Sequence, residues 1–150
     1  MGRLKYYLIL YFFVVVTLLY GCSSNEEKKV SYFEKGNAYF EKGEYKSAEL
    51  EFKNAIHIDP EYIEAYIKLG QTHLNLGNPQ EAFRAYSMVV KLDPENSNAQ
   101  LKLSTFYLLG KKLKESRKKV AAVLNKEPEN IEALFVLAGI LEMEKKQDEA

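Results

Sequence analysis

Three acid–proline–acid triplets set the frame of this 150-residue chain. They are Asp59-Pro60-Glu61, Asp93-Pro94-Glu95 and Glu127-Pro128-Glu129, and their prolines stand 34 residues apart, twice. Gly36 and Gly70, Gly43 and Gly77, Ala48 and Ala82, Tyr32 and Tyr66, and Phe52 and Tyr86 keep the same spacing. A fixed period of this size marks an array whose units each bury an apolar face only against their neighbours. Each unit reads as two helices. Gly43 and Gly77 end the first, where a positive φ costs glycine little. Asn78-Pro79-Gln80-Glu81 then supplies an N-cap, a proline at N1 and a capping-box partner at N3. Pro60, Pro94 and Pro128 end one pair and open the next. Helices are expected at 30–42, 45–58, 62–76, 80–92, 97–109, 113–126 and 131–143, with another starting at 147.

The pattern resembles the tetratricopeptide (TPR) repeat, a 34-residue helix–turn–helix with W-x₂-L-G-x₂-Y, then A-x₃-F, then P. Repeat 29–62 carries Tyr32, Gly36, Tyr39, Ala48, Phe52, Ala55 and Pro60. Repeat 63–96 carries Tyr66, Leu69, Gly70, His73, Ala82, Tyr86 and Pro94. Repeat 97–130 keeps Leu103, Tyr107 and Pro128, with Ser104 and Ser116 at the small positions, and 131–150 is an incomplete fourth. The resemblance implies an all-α fold, a right-handed solenoid of antiparallel helix pairs with about three and a half repeats. Gly36, Gly70, Ser104 and Ala138 would let paired helices approach closely, and Tyr39, Phe52 and Tyr86 would fill the space between pairs. His73 takes the aromatic position of Tyr39 and Tyr107 and reads as a packing residue, while His57 reads as exposed. The last expected helix is rich in apolar residues, among them Leu134, Phe135, Leu137, Ile140 and Leu141. A solenoid end needs a polar outer face, so the chain reads as the N-terminal portion of a longer repeat protein.

Residues 6–20 form the second constraint: fourteen of fifteen are apolar or aromatic, with Arg3 and Lys5 before them. As a helix this run reaches roughly 22 Å, short of the ~30 Å hydrocarbon core, and its flanks are those of a secretory signal. A tilted or snorkelling anchor helix from Leu4 to Tyr20 is the alternative. Leu19-Tyr20-Gly21-Cys22 resembles a bacterial lipobox, which implies cleavage after residue 21 and acylation of Cys22, the one cysteine of the chain. Several acyl chains would make attachment effectively permanent. Residues 22–28 then read as the lipidated cysteine and a polar linker. The expected address is the bacterial cell envelope, lipid-anchored, on the periplasmic face of the outer membrane.

Catalytic chemistry has little to stand on. No phosphate loop, HExxH, GxSxG or zinc spacing occurs, so neither an enzyme, a cofactor nor a metal site is expected. Binding is what stacked helix pairs offer. By resemblance, the concave groove is lined by Phe33, Asn37, Phe40 and Glu41, by Ile67, Gln71, Leu74 and Asn75, and by Leu101, Thr105, Leu108 and Leu109. Amides there can pair with the backbone of an extended protein or peptide ligand, and apolar groups can take its side chains. One TPR subfamily clamps the C-terminal carboxylate of chaperones. Asn37 matches it, but Phe33 replaces its first Lys, Lys68 replaces an Asn and Lys102 fits loosely.

Twenty-one basic and 21 acidic residues balance overall, which argues against nucleic acid as a partner. The balance is uneven, at −2, −1 and +5 for the three full repeats. Lys111, Lys112, Lys114, Arg117, Lys118 and Lys119 carry the excess, a solvated face or a contact for anionic lipid or an acidic polymer. The resulting expectation is a non-catalytic, lipid-anchored scaffold for protein–protein interaction. Similar lipoproteins serve exopolysaccharide export, the kind most resembled, and type IV pilus assembly. The alternative is the substrate-recruiting arm of a longer enzyme such as a glycosyltransferase.

Overall fold

The computed structural model describes residues 25–148. They form seven helices, with no strand among the described residues: α1 (25–41), α2 (Tyr45–Ile58), α3 (Ile63–Asn75), α4 (Pro79–Leu92), α5 (Ser97–Leu109), α6 (Leu113–Lys126) and α7 (Ile131–Asp148). Short turns make successive helices antiparallel, so odd-numbered helices form one layer of an all-α solenoid and even-numbered helices the other. Each helix from α2 to α7 packs on its sequence neighbours, and α5 also meets α7.

The recurring residues explain the pairing. A Cβ on Gly36 would lie 2.6 Å from the Phe52 ring, and one on Gly70 would lie 2.8 Å from the Tyr86 ring. Hydrogen at these positions lets a fully buried aromatic from the second helix sit on the backbone of the first. The core runs along the array in three overlapping clusters. Ala48, Phe52, Leu69 and Ala85 form one, and Ala82, Tyr86, Val89, Ala99 and Leu103 the next. Leu101, Leu113, Val120, Val123, Ala133 and Ile140 form the third, across α5, α6 and α7.

The turn between paired helices is the same each time. Gly43 N–H bonds Phe40 O, and Glu44 N–H bonds Tyr39 O. Gly77 with Asn78, and Lys111 with Lys112, repeat both bonds one and two units later. The residue in the left-handed region has φ 76° at Gly43, 72° at Gly77 and 57° at Lys111.

Four expectations need correction. Helix α1 is already helical at residue 25, so residues 25–28 are helix and not an extended linker. Lys29 explains this: its Nζ bonds Glu26 at 2.8 Å and Asp59 at 2.9 Å, holding the first turn. Helix α7 runs unbroken through 148, with no new helix starting at 147. Glu142 and Lys146 pair one turn apart and Arg117 holds Glu144, across the stretch where a turn was expected. The Asn78 side chain makes no cap, although Pro79 does occupy N1. Its box partner Glu81 binds Arg84 instead. Leu101, expected in the groove, belongs to the core. Cys22 and the apolar run before it lie outside the described residues.

Candidate functional site

Helices α1, α3 and α5 carry the groove residues in a common register, so each set of three recurs 34 residues apart. Asn37, Gln71 and Thr105 occupy one such row. The Asn37 Oδ1 is buried and accepts no hydrogen bond. Gln71 is half-buried, and its backbone oxygen accepts from Asn75 Nδ2 at 2.9 Å. Asn75 is exposed and keeps its Oδ1 for other partners. Thr105 differs, because its Oγ1 donates back to Leu101 O at 3.1 Å, the usual local use of a hydroxyl within a helix.

The apolar row is less uniform. Phe33 lies half-buried, its ring 5.8 Å from Phe52 and 5.0 Å from Tyr62. Phe40 stands edge-on to Tyr45 at 5.4 Å. Ile67 packs against the Tyr86 cluster. Leu101 is only 2% exposed, covered by α6 and α7; no ligand reaches it. Leu74 and Leu109 are exposed, Leu109 at 77%.

Lys68, noted in the sequence at a clamp position, lies against the groove residue Phe40. Its Nζ sits 5.2 Å from the centre of the Phe40 ring, a cation–π contact joining α1 to α3. Its counterpart one repeat on, Lys102, is instead paired with Glu132 at 2.9 Å. These two cations therefore have different duties, and with Phe33 packed on aromatic rings, no clamp for a carboxylate assembles from Phe33, Asn37, Lys68 and Lys102.

The basic stretch is also divided. Arg117 forms a two-pronged pair with Glu144 and fastens α6 to α7. Lys111, Lys112, Lys114 and Lys118 are exposed. Lys119 is half-buried, and burial, helped by the Lys118 charge, pushes its pKa down. His73 is buried, and burial lowers its pKa. His57 is exposed. Among the described residues no group of three or more His, Cys, Asp or Glu could hold a metal ion.

A family model described as TPR repeat matches residues 36–77, and one described as tetratricopeptide repeat matches residues 63–96. Residues 36–96 thus match the tetratricopeptide repeat. Solved TPR structures extend the likeness over most of the chain. The first TPR of Spaghetti (RPAP3), bound to the HSP90 peptide SRMEEVD, is 26% identical with a TM-score of 0.70, over 78% of this chain and 93% of that one. The second TPR domain of human RPAP3, in complex with the HSP70 peptide SGPTIEEVD, is 24% identical with a TM-score of 0.69, over 77% and 97%. The Arabidopsis OM64 TPR domain is 23% identical with a TM-score of 0.71, over 79% and 98%. No curated protein matches the sequence. The TPR array is thus structurally like peptide-binding TPR domains, which supports protein–protein interaction.

Proposed function

We propose that this chain is a non-catalytic scaffold that holds an extended peptide segment of a partner protein on the α1–α3–α5 face. The observation that carries this is the set of amides on successive repeats of one face, Gln71 half-buried and Asn75 exposed on α3, with Asn37 one repeat before. Such amides suit the alternating N–H and C=O groups of an extended chain. The peptide held by the first TPR of Spaghetti supports the mode of binding. The ligand differs, because the carboxylate clamp is not built. The lipobox resemblance at Leu19-Tyr20-Gly21-Cys22 supports attachment to a bacterial envelope membrane, at the periplasmic face of the outer membrane. The order of signal, cysteine and repeat array favours a place in exopolysaccharide export, with type IV pilus assembly as the related process.

The test for binding uses peptides selected from a displayed library on the full chain in detergent. Changing Asn37, Gln71 and Asn75 together to Ala removes hydrogen bonds worth about 1–3 kcal/mol each to a buried partner. Affinity should fall at least about tenfold while helicity stays, since Ala is the better helix former. A parallel variant, with Lys112, Lys118 and Lys119 changed to Ser, should bind as the parent does. If that variant alone loses the peptides, the even-numbered layer carries the function. For the anchor, Cys22→Ala should abolish metabolic labelling with palmitate. Unchanged labelling would refute lipidation at Cys22.

A further inference from the structure

The turn between α5 and α6 differs from its two counterparts. At matching positions the first two repeats carry Glu41-Lys42-Gly43-Glu44 and Asn75-Leu76-Gly77-Asn78, and the third carries Leu109-Gly110-Lys111-Lys112. Glycine holds the left-handed position at residues 43 and 77, with φ 76° and 72°, and lysine holds it at residue 111, with φ 57°. A side chain is disfavoured in that region. Strain kept at one turn of three points to a use for the residue placed there.

Leu109 ends α5 and is 77% exposed. The charge around it is almost all of one sign. Residues 109–119 hold six basic side chains and a single carboxylate, Glu115. Arg117 is spent on Glu144. Lys111, Lys112, Lys114 and Lys118 are exposed and make no ion pair among the described residues. The carboxylates near the end of α7 do not neutralise them, since Glu142 holds Lys146 and Glu144 holds Arg117. Lys114 and Lys118 stand one turn apart on α6, so the charge continues from the tip along that helix. A soluble acidic polymer would engage these cations and leave Leu109 in water. A bilayer surface with anionic headgroups uses both: phosphates draw the lysines, and the boundary between headgroups and acyl chains takes the leucine.

We infer that the α5–α6 turn docks on the surface of a bilayer containing anionic phospholipid. Leu109 enters the headgroup region, and Lys111, Lys112, Lys114 and Lys118 face the lipid phosphates. Odd-numbered helices all run toward this edge, so the turn stands at the opposite edge of the array from the start of α1. The contact is therefore distinct from the attachment proposed at Cys22.

The test holds the full chain in phosphatidylcholine nanodiscs and sediments it with sucrose-loaded vesicles added afterwards. The vesicles are phosphatidylcholine alone, or phosphatidylcholine with about one-third phosphatidylglycerol. The chain should bind the anionic vesicles at least about tenfold more tightly than the neutral ones, and high salt should release it. Lys111→Gly, which gives this turn the residue of the other two, should keep its helical circular dichroism and bind about fivefold more weakly. Changing Lys112, Lys114 and Lys118 together to Ser should weaken binding by about a hundredfold. Leu109→Ser, with every charge kept, should weaken it at least about threefold. Equal sedimentation with both kinds of vesicle would overturn the proposal, as would anionic-vesicle binding that survives the triple change. So would Leu109→Ser binding vesicles as the parent does while polygalacturonate binds both chains alike, which would assign the lysines to a soluble acidic polymer.

Discussion

Ser104 and Ser116 exchange hydrogen bonds across the closest approach of α5 and α6. The Ser116 Oγ donates to Ser104 O at 2.8 Å, the Ser104 Oγ reaches Ser116 O at 3.1 Å, and the two hydroxyls lie 2.9 Å apart. Both residues are fully buried. In the earlier repeats Gly36 and Gly70 hold the position of Ser104, and Ala48 and Ala82 that of Ser116, so the polar clasp is particular to this repeat. Each single change to Ala should cost about 1 kcal/mol, the usual net worth of such a bond. The double change should cost less than the sum of the two, because the Ser104 proton is shared between Ser116 O and Ser116 Oγ and both single changes disturb that same contact. Denaturant titration of the cycle checks this, and strict additivity would contradict the clasp.

Gly70 sits beneath the Tyr86 ring, and that ring has no exposed surface into which it could move. Gly70→Leu should destabilise the chain by about 1–3 kcal/mol or more. Lys146→Ala removes only an exposed one-turn pair with Glu142 and should stay within about 0.5 kcal/mol. Equal melting temperatures for the two variants would refute the helix contact at Gly70.

Lys111 holds the left-handed backbone position that glycine holds in the two earlier repeats. A side chain there costs roughly 1–2 kcal/mol, offset by the ~0.5–1 kcal/mol of extra entropy that glycine loses on folding. Lys111→Gly should therefore raise stability by about 0.5–1 kcal/mol, an increase of about 2–4 °C in melting temperature. A fall in melting temperature would show that the Lys111 side chain stabilises the turn.

His73 is 4% exposed, its Nδ1 has no partner, and burial lowers its pKa, opposed in part by Glu49. Glu49 and Lys53 on α2 and Glu81 on α4 are the charges that face it. The unfolded chain thus takes up this proton at higher pH than the folded one. Stability is complete above the ordinary histidine value near 6.5 and declines as pH falls below it toward the folded value. The hydrogen-bonded carboxylates Glu49 and Asp59, whose pKa values are lowered, contribute above the usual carboxylate range and lose that contribution only as pH falls through and below it. Melting temperature should drop between pH 7 and 5 in the parent. In His73→Tyr, which carries the residue found at positions 39 and 107, the drop should be much smaller.

Periodicity made the architecture legible because the residues that recur are those whose size the helix crossings dictate. Gly36, Gly70, Ser104 and the prolines each answer to a contact inside one repeat. Leu101 was harder, since it shares a register with Phe33 and Ile67 but lies under α7, and burial between repeats depends on the neighbour. The caps were legible in kind and misplaced in detail. Asn96 and Asn130, 34 residues apart, cap α5 and α7 through the N–H groups of Ala99 and Ala133. Asn78, just after the left-handed Gly77, does not cap with its side chain. Residues 25–28 read as a tether in the sequence, but Lys29, paired with Glu26 and Asp59, holds them as the first turn of α1.

Lys29 with Asp59, Ser97 with Glu127 and Lys102 with Glu132 each join residues 30 apart. From α2 to α7, packing reaches no farther than the second helix along. Mechanical load applied to the two ends therefore meets a series of separate fastenings and no single lock. Under tension the chain should lengthen in steps, each releasing one pair of helices and about 110 Å of extended backbone, while the neighbouring pairs remain folded.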